Sequence, residues 1–126
     1  MAPSDRKYTE SHEWVMVEGD VATIGITDHA QDSLGDITFI ELPQSGKNVT
    51  KGAECGVVES VKAASDIFSP VSGVVQSTND TLTTSPELIN SDPFGKGWFF
   101  KVTGIDSAQI DVLMDSVQYE TFLETL

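Results

Sequence analysis

Glu59-Ser60-Val61-Lys62-Ala63-Ala64-Ser65-Asp66-Ile67-Phe68-Ser69-Pro70-Val71-Ser72-Gly73 is the stretch on which the reading of this chain turns. It overlaps two related runs, Gly56-Val57-Val58-Glu59 and Gly73-Val74-Val75-Gln76, each β-branched and led by glycine. Branched side chains pack well on a pleated surface, so both runs read as strands. They are expected to flank a projecting turn, with Ile67-Phe68 forming part of the return. Lys62 falls near the middle of that turn among small or apolar neighbours, whereas the other six basic residues sit where solvated charges are expected. A lysine at the tip of a tight turn presents its amine outward on a stiff platform, within reach of a modifying enzyme. On these residues alone, one more surface lysine is the simpler reading.

Outward from this turn, strand signals dominate the first hundred residues. Glu13-Trp14-Val15-Met16-Val17 turns at Glu18-Gly19-Asp20 into Val21-Ala22-Thr23-Ile24-Gly25-Ile26, which predicts a hairpin. Thr27 is placed to cap a short helix carrying Ala30, Gln31 and Leu34 and closed by Gly35. A strand over Ile37 to Leu42 stops at Pro43, and Ser45 to Gly52 reads as a loop. Ser77 to Lys96 is polar and turn-rich, with a helical turn near Pro86-Glu87-Leu88-Ile89. Gly97 to Val102 is a last strand. The period then changes: Ile110, Leu113 and Val117, then Phe122, Leu123 and Leu126, suggest two amphipathic helical pieces over about 106–126. The predicted architecture is a mostly β core with a short N-terminal helix and C-terminal helices, in one domain spanning 1–126.

Composition narrows the function classes. A chain of 126 residues fits one domain with a real core. No apolar run approaches the ~20 residues of a membrane helix, and the N-terminus lacks the apolar segment of a secretory signal. Twenty acidic residues against seven basic ones give a net charge of −13. Such a surface repels phosphate backbones and anionic lipids, so nucleic acid and membrane are not expected partners, while basic protein surfaces are. Cys55, the only cysteine, allows no internal disulfide and reads as an inert thiol at a strand mouth. One cysteine and two histidines, His12 and His29, on distant segments make a poor zinc set, and no metal is expected. There is no Gly-rich phosphate loop and no Gly-x-Ser-x-Gly elbow.

The Glu59 to Gly73 segment resembles the lipoyl-attachment motif of glycine cleavage H proteins. Ser11-His12-Glu13-Trp14-Val15 resembles that family's opening strand, and Gly25-Ile26-Thr27-Asp28-His29-Ala30-Gln31 with Leu34-Gly35-Asp36-Ile37 its first helix and the following strand. Glu41-Leu42-Pro43, Leu88-Ile89-Asn90 and Gly97-Trp98 match as well, so the resemblance runs from about Tyr8 to the C-terminus. Biotin carriers usually flank their lysine with methionines, whereas Val61 and Ala63 stand here. Lipoyl domains of 2-oxo acid dehydrogenases are shorter and lack the His-Glu-Trp strand and the C-terminal helices.

The resemblance implies a barrel-sandwich hybrid of the lipoyl and biotinyl carrier type, with lipoic acid joined covalently to Lys62. It implies a non-catalytic carrier, expected as a monomer, whose arm visits three enzymes. Glycine decarboxylase (P protein) loads aminomethyl, aminomethyltransferase (T protein) removes it, and dihydrolipoamide dehydrogenase (L protein) reoxidises the dithiol. Lipoyl-attaching enzymes are further partners, with Glu59 as a recognition element. Ser11, Glu13 and Asp66, with His29 as a further candidate, match the surface cleft where the family's arm folds back, and a carboxylate there can pair with a protonated amine. A relay that donates lipoyl groups to other lipoyl domains is the alternative. The compartment follows the source: cytoplasm in a bacterium, mitochondrial matrix in a eukaryote. An enzyme using Lys62 as a Schiff-base nucleophile would need a desolvated amine or a cationic neighbour. Glu59 and Asp66 instead flank it, which argues against that rival.

Overall fold

A computed structural model describes residues 2–126; Met1, the first residue of the expected domain, lies outside the described residues. Along the chain stand β1 (Lys7–Tyr8), β2 (Glu13–Glu18), β3 (Val21–Ile26), α1 (Asp28–Leu34), β4 (Ile37–Glu41), β5 (Asn48–Val49) and β6 (Glu54–Ser60). They are followed by β7 (Ala64–Phe68), β8 (Gly73–Thr78), α2 (Thr81–Thr84), α3 (Leu88–Ser91), β9 (Phe100–Thr103), α4 (Ser107–Asp111) and α5 (Ser116–Leu123). All strand pairing is antiparallel, in a six-stranded sheet ordered β1-β2-β3-β9-β8-β5 and a three-stranded sheet ordered β4-β6-β7. The expected mostly β carrier architecture is therefore present, with two open sheets rather than a closed barrel.

Local chemistry accounts for the elements that were anticipated. Gly19 takes φ +63° at the β2–β3 turn, a conformation glycine enters without steric cost. The Thr27 hydroxyl accepts from the Ala30 N–H and opens α1, while Gly35, at φ +78° and ψ −155°, closes it. Alternating side chains of both sheets then meet in one core containing Ile24, Ile40, Val58, Ile67, Val75 and Phe100. Each such side chain contributes about 1.5–3 kcal/mol on full burial.

The two Gly-Val-Val runs stand on either side of the projecting turn as expected, with Ile67-Phe68 in its return, and they fall in different sheets. The first lies in β6, whose return strand is β7, and the second lies in β8, which pairs with β5 and β9 in the other sheet. Several expectations are corrected. The expected loop Ser45 to Gly52 contains β5, and the polar segment after Ser77 contains α2 as well as α3. Val117 in α5 and Leu126 beyond its end face solvent, and the buried anchor of α5 is Tyr119. Tyr119 stacks on Tyr8 at 4.7 Å between ring centroids, in a second cluster with Trp14. Arg6 is not a solvated charge: its side chain is 8% exposed and lies 4.5 Å over the Trp14 ring. Cation–π attraction and burial of its stem both fit that placement.

Candidate functional site

The β6–β7 hairpin carries Lys62. Glu59 pairs with Ala64 as the last rung, leaving Ser60 to Ala63 to reverse the chain. Ser60 builds the turn: its N–H donates to the Ala63 carbonyl at 2.8 Å, and its hydroxyl accepts from the Lys62 and Ala63 N–H groups at 3.2 Å each. Serine suits this place because its short hydroxyl bonds neighbouring backbone that a turn leaves without ladder partners. Val61, Lys62 and Ala63 are all exposed. The lysine stem passes over Gly35 at the end of α1, where a Cβ would stand 3.3 Å from Lys62 Cε.

From this turn β7 runs towards a cleft of about 280 Å³ lined by Ser11, Glu13, Lys51, Phe68, Pro70 and Met114, among others. Ala64, Asp66 and Phe68 share the outward face of β7, because side chains alternate along a strand, and Ile67 points into the core. Asp66 thus lies between the lysine turn and the cleft. Ala64 and Phe68 are about 13 Å apart along the strand.

Glu13 is the unusual group in the cleft. It is 3% exposed, and its carboxylate accepts from the hydroxyls of Ser11 at 2.5 Å and Thr9 at 2.7 Å. Burial raises its pKa above the ordinary carboxylate value, opposed by these hydroxyls and the Phe68 backbone N–H. Among the described residues, the sole ion pair is Arg6 with Asp5, so no cation compensates Glu13. Lys51, on the same cleft, gives its ammonium to the Gln109 carbonyl at 3.2 Å. A buried carboxylate held only by neutral donors lacks the compensation that a cation beside it would supply.

The structure brings Ser11 and Glu13 together, sets Asp66 on the strand leading to them, and puts Glu59 beside the lysine turn. It does not bring His29 to this cleft. His29 packs against His12 with ring centroids 4.5 Å apart and planes tilted by 38°, and lines a different cleft of about 270 Å³ with Tyr119 and Leu123. Thr9, Phe68 and Lys51 escaped the sequence reading. The spacing Thr9-x-Ser11-x-Glu13 was the available signal for the first. Cys55 donates to the Ile67 carbonyl at 3.4 Å, and burial pushes its thiol up to about 12, in keeping with an inert thiol.

Comparison with known proteins extends the picture. The sequence model of the family described as glycine cleavage H-protein matches residues 6–126. The glycine cleavage system H protein of Shewanella frigidimarina is 52% identical over 123 residues, covering 97% of this chain and 95% of the relative. That of Escherichia coli O139:H28 is 50% identical over the same length and coverage. Among solved structures, a glycine cleavage system H protein from Mycobacterium marinum superposes with a TM-score of 0.88 at 35% identity. The match covers 99% of this chain and 100% of that one.

Proposed function

Because this chain belongs to the glycine cleavage H-protein family, we propose that it is the non-catalytic carrier of the system, with lipoic acid bound through an amide to Lys62. The observation that carries the reading is the placement of Lys62, alone and exposed at the apex of the β6–β7 turn. The residues fit the group: the lysine nitrogen is open to acylation, and the cleft downstream offers an uncompensated carboxylate. A bound lipoyl group would supply a disulfide able to take up a one-carbon amine unit and then be restored by oxidation.

The chain's own residues supply tether, address and shelter. Amide formation consumes the neutral amine, so attachment needs an enzyme that activates the carboxyl group and takes up the proton. Acylation then deletes a charge. Glu13, with Ser11 and Thr9 orienting its oxygens, binds a protonated amine in the cleft, and Asp66 lines the approach. Glu59 marks the turn for the attaching enzymes.

The net charge of −13 steers the carrier onto basic faces of glycine decarboxylase, aminomethyltransferase and dihydrolipoamide dehydrogenase. A tether raises the local concentration of the bound unit at whichever enzyme is docked. The carrier works as a single domain and a monomer, and its bacterial relatives point to the cytoplasm.

Intact mass and peptide mapping of the protein from its own host test the reading. The expected result is a lipoyl adduct confined to Lys62. An unmodified Lys62 that a competent ligase also refuses in vitro would overturn it.

A further inference from the structure

The turn that carries Lys62 has one hydrogen bond to backbone outside the β6–β7 hairpin, and that bond leads to a half-buried clamp. The Val61 N–H donates to the Asp36 carbonyl at 3.1 Å. At the other end of the same peptide unit, the Ile37 N–H donates to Asn90 Oδ1 at 2.9 Å. Asn90 Nδ2 donates to the Gly35 carbonyl at 2.8 Å and to Gln31 Oε1 at 2.9 Å. The amide orientation is forced, because its nitrogen faces two acceptors and its oxygen faces a donor. One side chain therefore grips the peptide units on both sides of Asp36.

Asn90 is itself held firmly. It sits on α3 next to Ile89, which is fully buried in the core. A rigid peptide places its C=O opposite its N–H. Fixing Ile37 N–H therefore aims the Asp36 carbonyl at Val61. Gly35 completes the shelf: its φ of +78° and ψ of −155° form a backbone region open essentially to glycine alone, and its missing Cβ leaves room for the Lys62 stem.

We infer that Asn90 is a positioning residue for the lysine-bearing turn, which it orients for lipoyl-attaching enzymes through the Asp36–Ile37 peptide. The inference rests on the carrier reading of Lys62. If only the clamped orientation of the turn is accepted, loosening the clamp lowers the competent fraction, and apparent affinity falls in proportion. The effect is then a rise in KM for the carrier with kcat little changed.

The test uses the full chain as substrate for a lipoate–protein ligase supplied with lipoate and ATP, with attachment read by mass. Asn90→Ala is compared with wild type and with Val75→Ala, a core truncation in β8 away from the turn that controls for lost stability. The expected result is a KM raised on the order of tenfold in Asn90→Ala, and none in Val75→Ala. Acetylation of Lys62 by acetic anhydride, which needs no docking, should be equal in all three. Amide exchange at Val61 should quicken selectively in Asn90→Ala. Equal attachment kinetics in the two variants, or unchanged Val61 exchange, would overturn the inference. Refusal of the wild-type protein would instead overturn the carrier reading, and the inference with it.

Discussion

Ser11 Oγ stands 2.5 Å from a carboxylate oxygen of Glu13, and the carboxylate lies buried at the head of β2. Together with Thr9 this gives Glu13 hydroxyl donors but no cation. Its folded pKa is raised, mainly by burial. A raised folded pKa contributes stability that is complete below the unfolded value, about 4.3, and is lost as pH rises through the folded value. Glu13→Gln keeps an acceptor for the hydroxyls and removes the charge. The variant is expected to melt higher than wild type at pH 8, with the gap closing towards pH 4. Thermal melts across that range check the sign. A Gln variant less stable than wild type at pH 8 would mean the carboxylate is already compensated.

The same carboxylate is the proposed partner for an amine delivered on the Lys62 arm. Glu13→Ala should leave lipoyl attachment intact, because Glu13 is remote from the lysine turn. It should shorten the lifetime of the amine-loaded carrier on the order of tenfold, the rate equivalent of about 1.4 kcal/mol. Release of formaldehyde and ammonia from the loaded carrier, followed in the absence of partner enzymes, measures this. An unchanged lifetime would remove Glu13 from the shelter. Asp66→Ala, altering an exposed acid on the approach strand, should have the smaller effect.

Tyr119 ties the C-terminal helix to the strand that presents Glu13. Its hydroxyl contacts Thr27 Oγ1 at 2.7 Å and His12 Nδ1 at 2.8 Å, and its ring stacks on Tyr8. Tyr119→Phe keeps the stack and strands two polar partners, at a cost of about 1–3 kcal/mol. Tyr119→Ala loses the ring as well and should cost about 3–5 kcal/mol. Burial and the neighbouring His29 hold the His12 pKa below its usual value. The stability linked to His12 is therefore complete above pH ~6.5 and lost as pH falls through the depressed value. His12 has φ +69°, a conformation asparagine tolerates well, so His12→Asn should fold and flatten the acid side of the stability profile. Urea unfolding of each variant between pH 5 and pH 7.5 reads both effects.

What the sequence disclosed, and what it withheld, divides by how local the cause is. α1 was legible because Thr27 and Gly35 cap it from within its own segment, and the β2–β3 hairpin because Gly19 sits at its turn. β5 was not, since Asn48 and Val49 are strand only by virtue of Val74 and Gly73 across the sheet. The two Gly-Val-Val runs were legible as strands flanking the turn, while their division between two sheets was not: composition marks strands, and partners are chosen by packing at long range. In α5 the apolar Val117 faces solvent and Tyr119 faces inward, because the tyrosine finds both an aromatic neighbour and hydrogen-bond partners. At the site, Lys62 stood out by its small neighbours and by resemblance. The burial of Glu13 ran against the usual exposure of glutamate. The Asn90 clamp spans residues more than fifty apart in sequence and leaves no local signal at all.

Glu59 offers the last test, because its surroundings separate recognition from stability. It is exposed on the central strand of the three-stranded sheet, opposite Ala64 on one side and Phe39 on the other. Nothing in that setting depends on its charge, so Glu59→Ala should shift stability by no more than about 0.5 kcal/mol. Its carboxylate lies beside the lysine turn, the proposed docking place of an attaching enzyme, and a rim charge there acts chiefly on encounter. Lipoyl attachment to Glu59→Ala should therefore slow severalfold, with the deficit shrinking as salt is raised and the wild-type advantage is screened. Glu41→Ala, which removes a carboxylate from the row beside Val57 and Asp66 on the same sheet, is the matched control and should slow attachment less. Attachment at the wild-type rate in Glu59→Ala would make Glu59 an ordinary solvated acid. An equal loss in both variants would assign the effect to overall charge and leave Glu59 no special part.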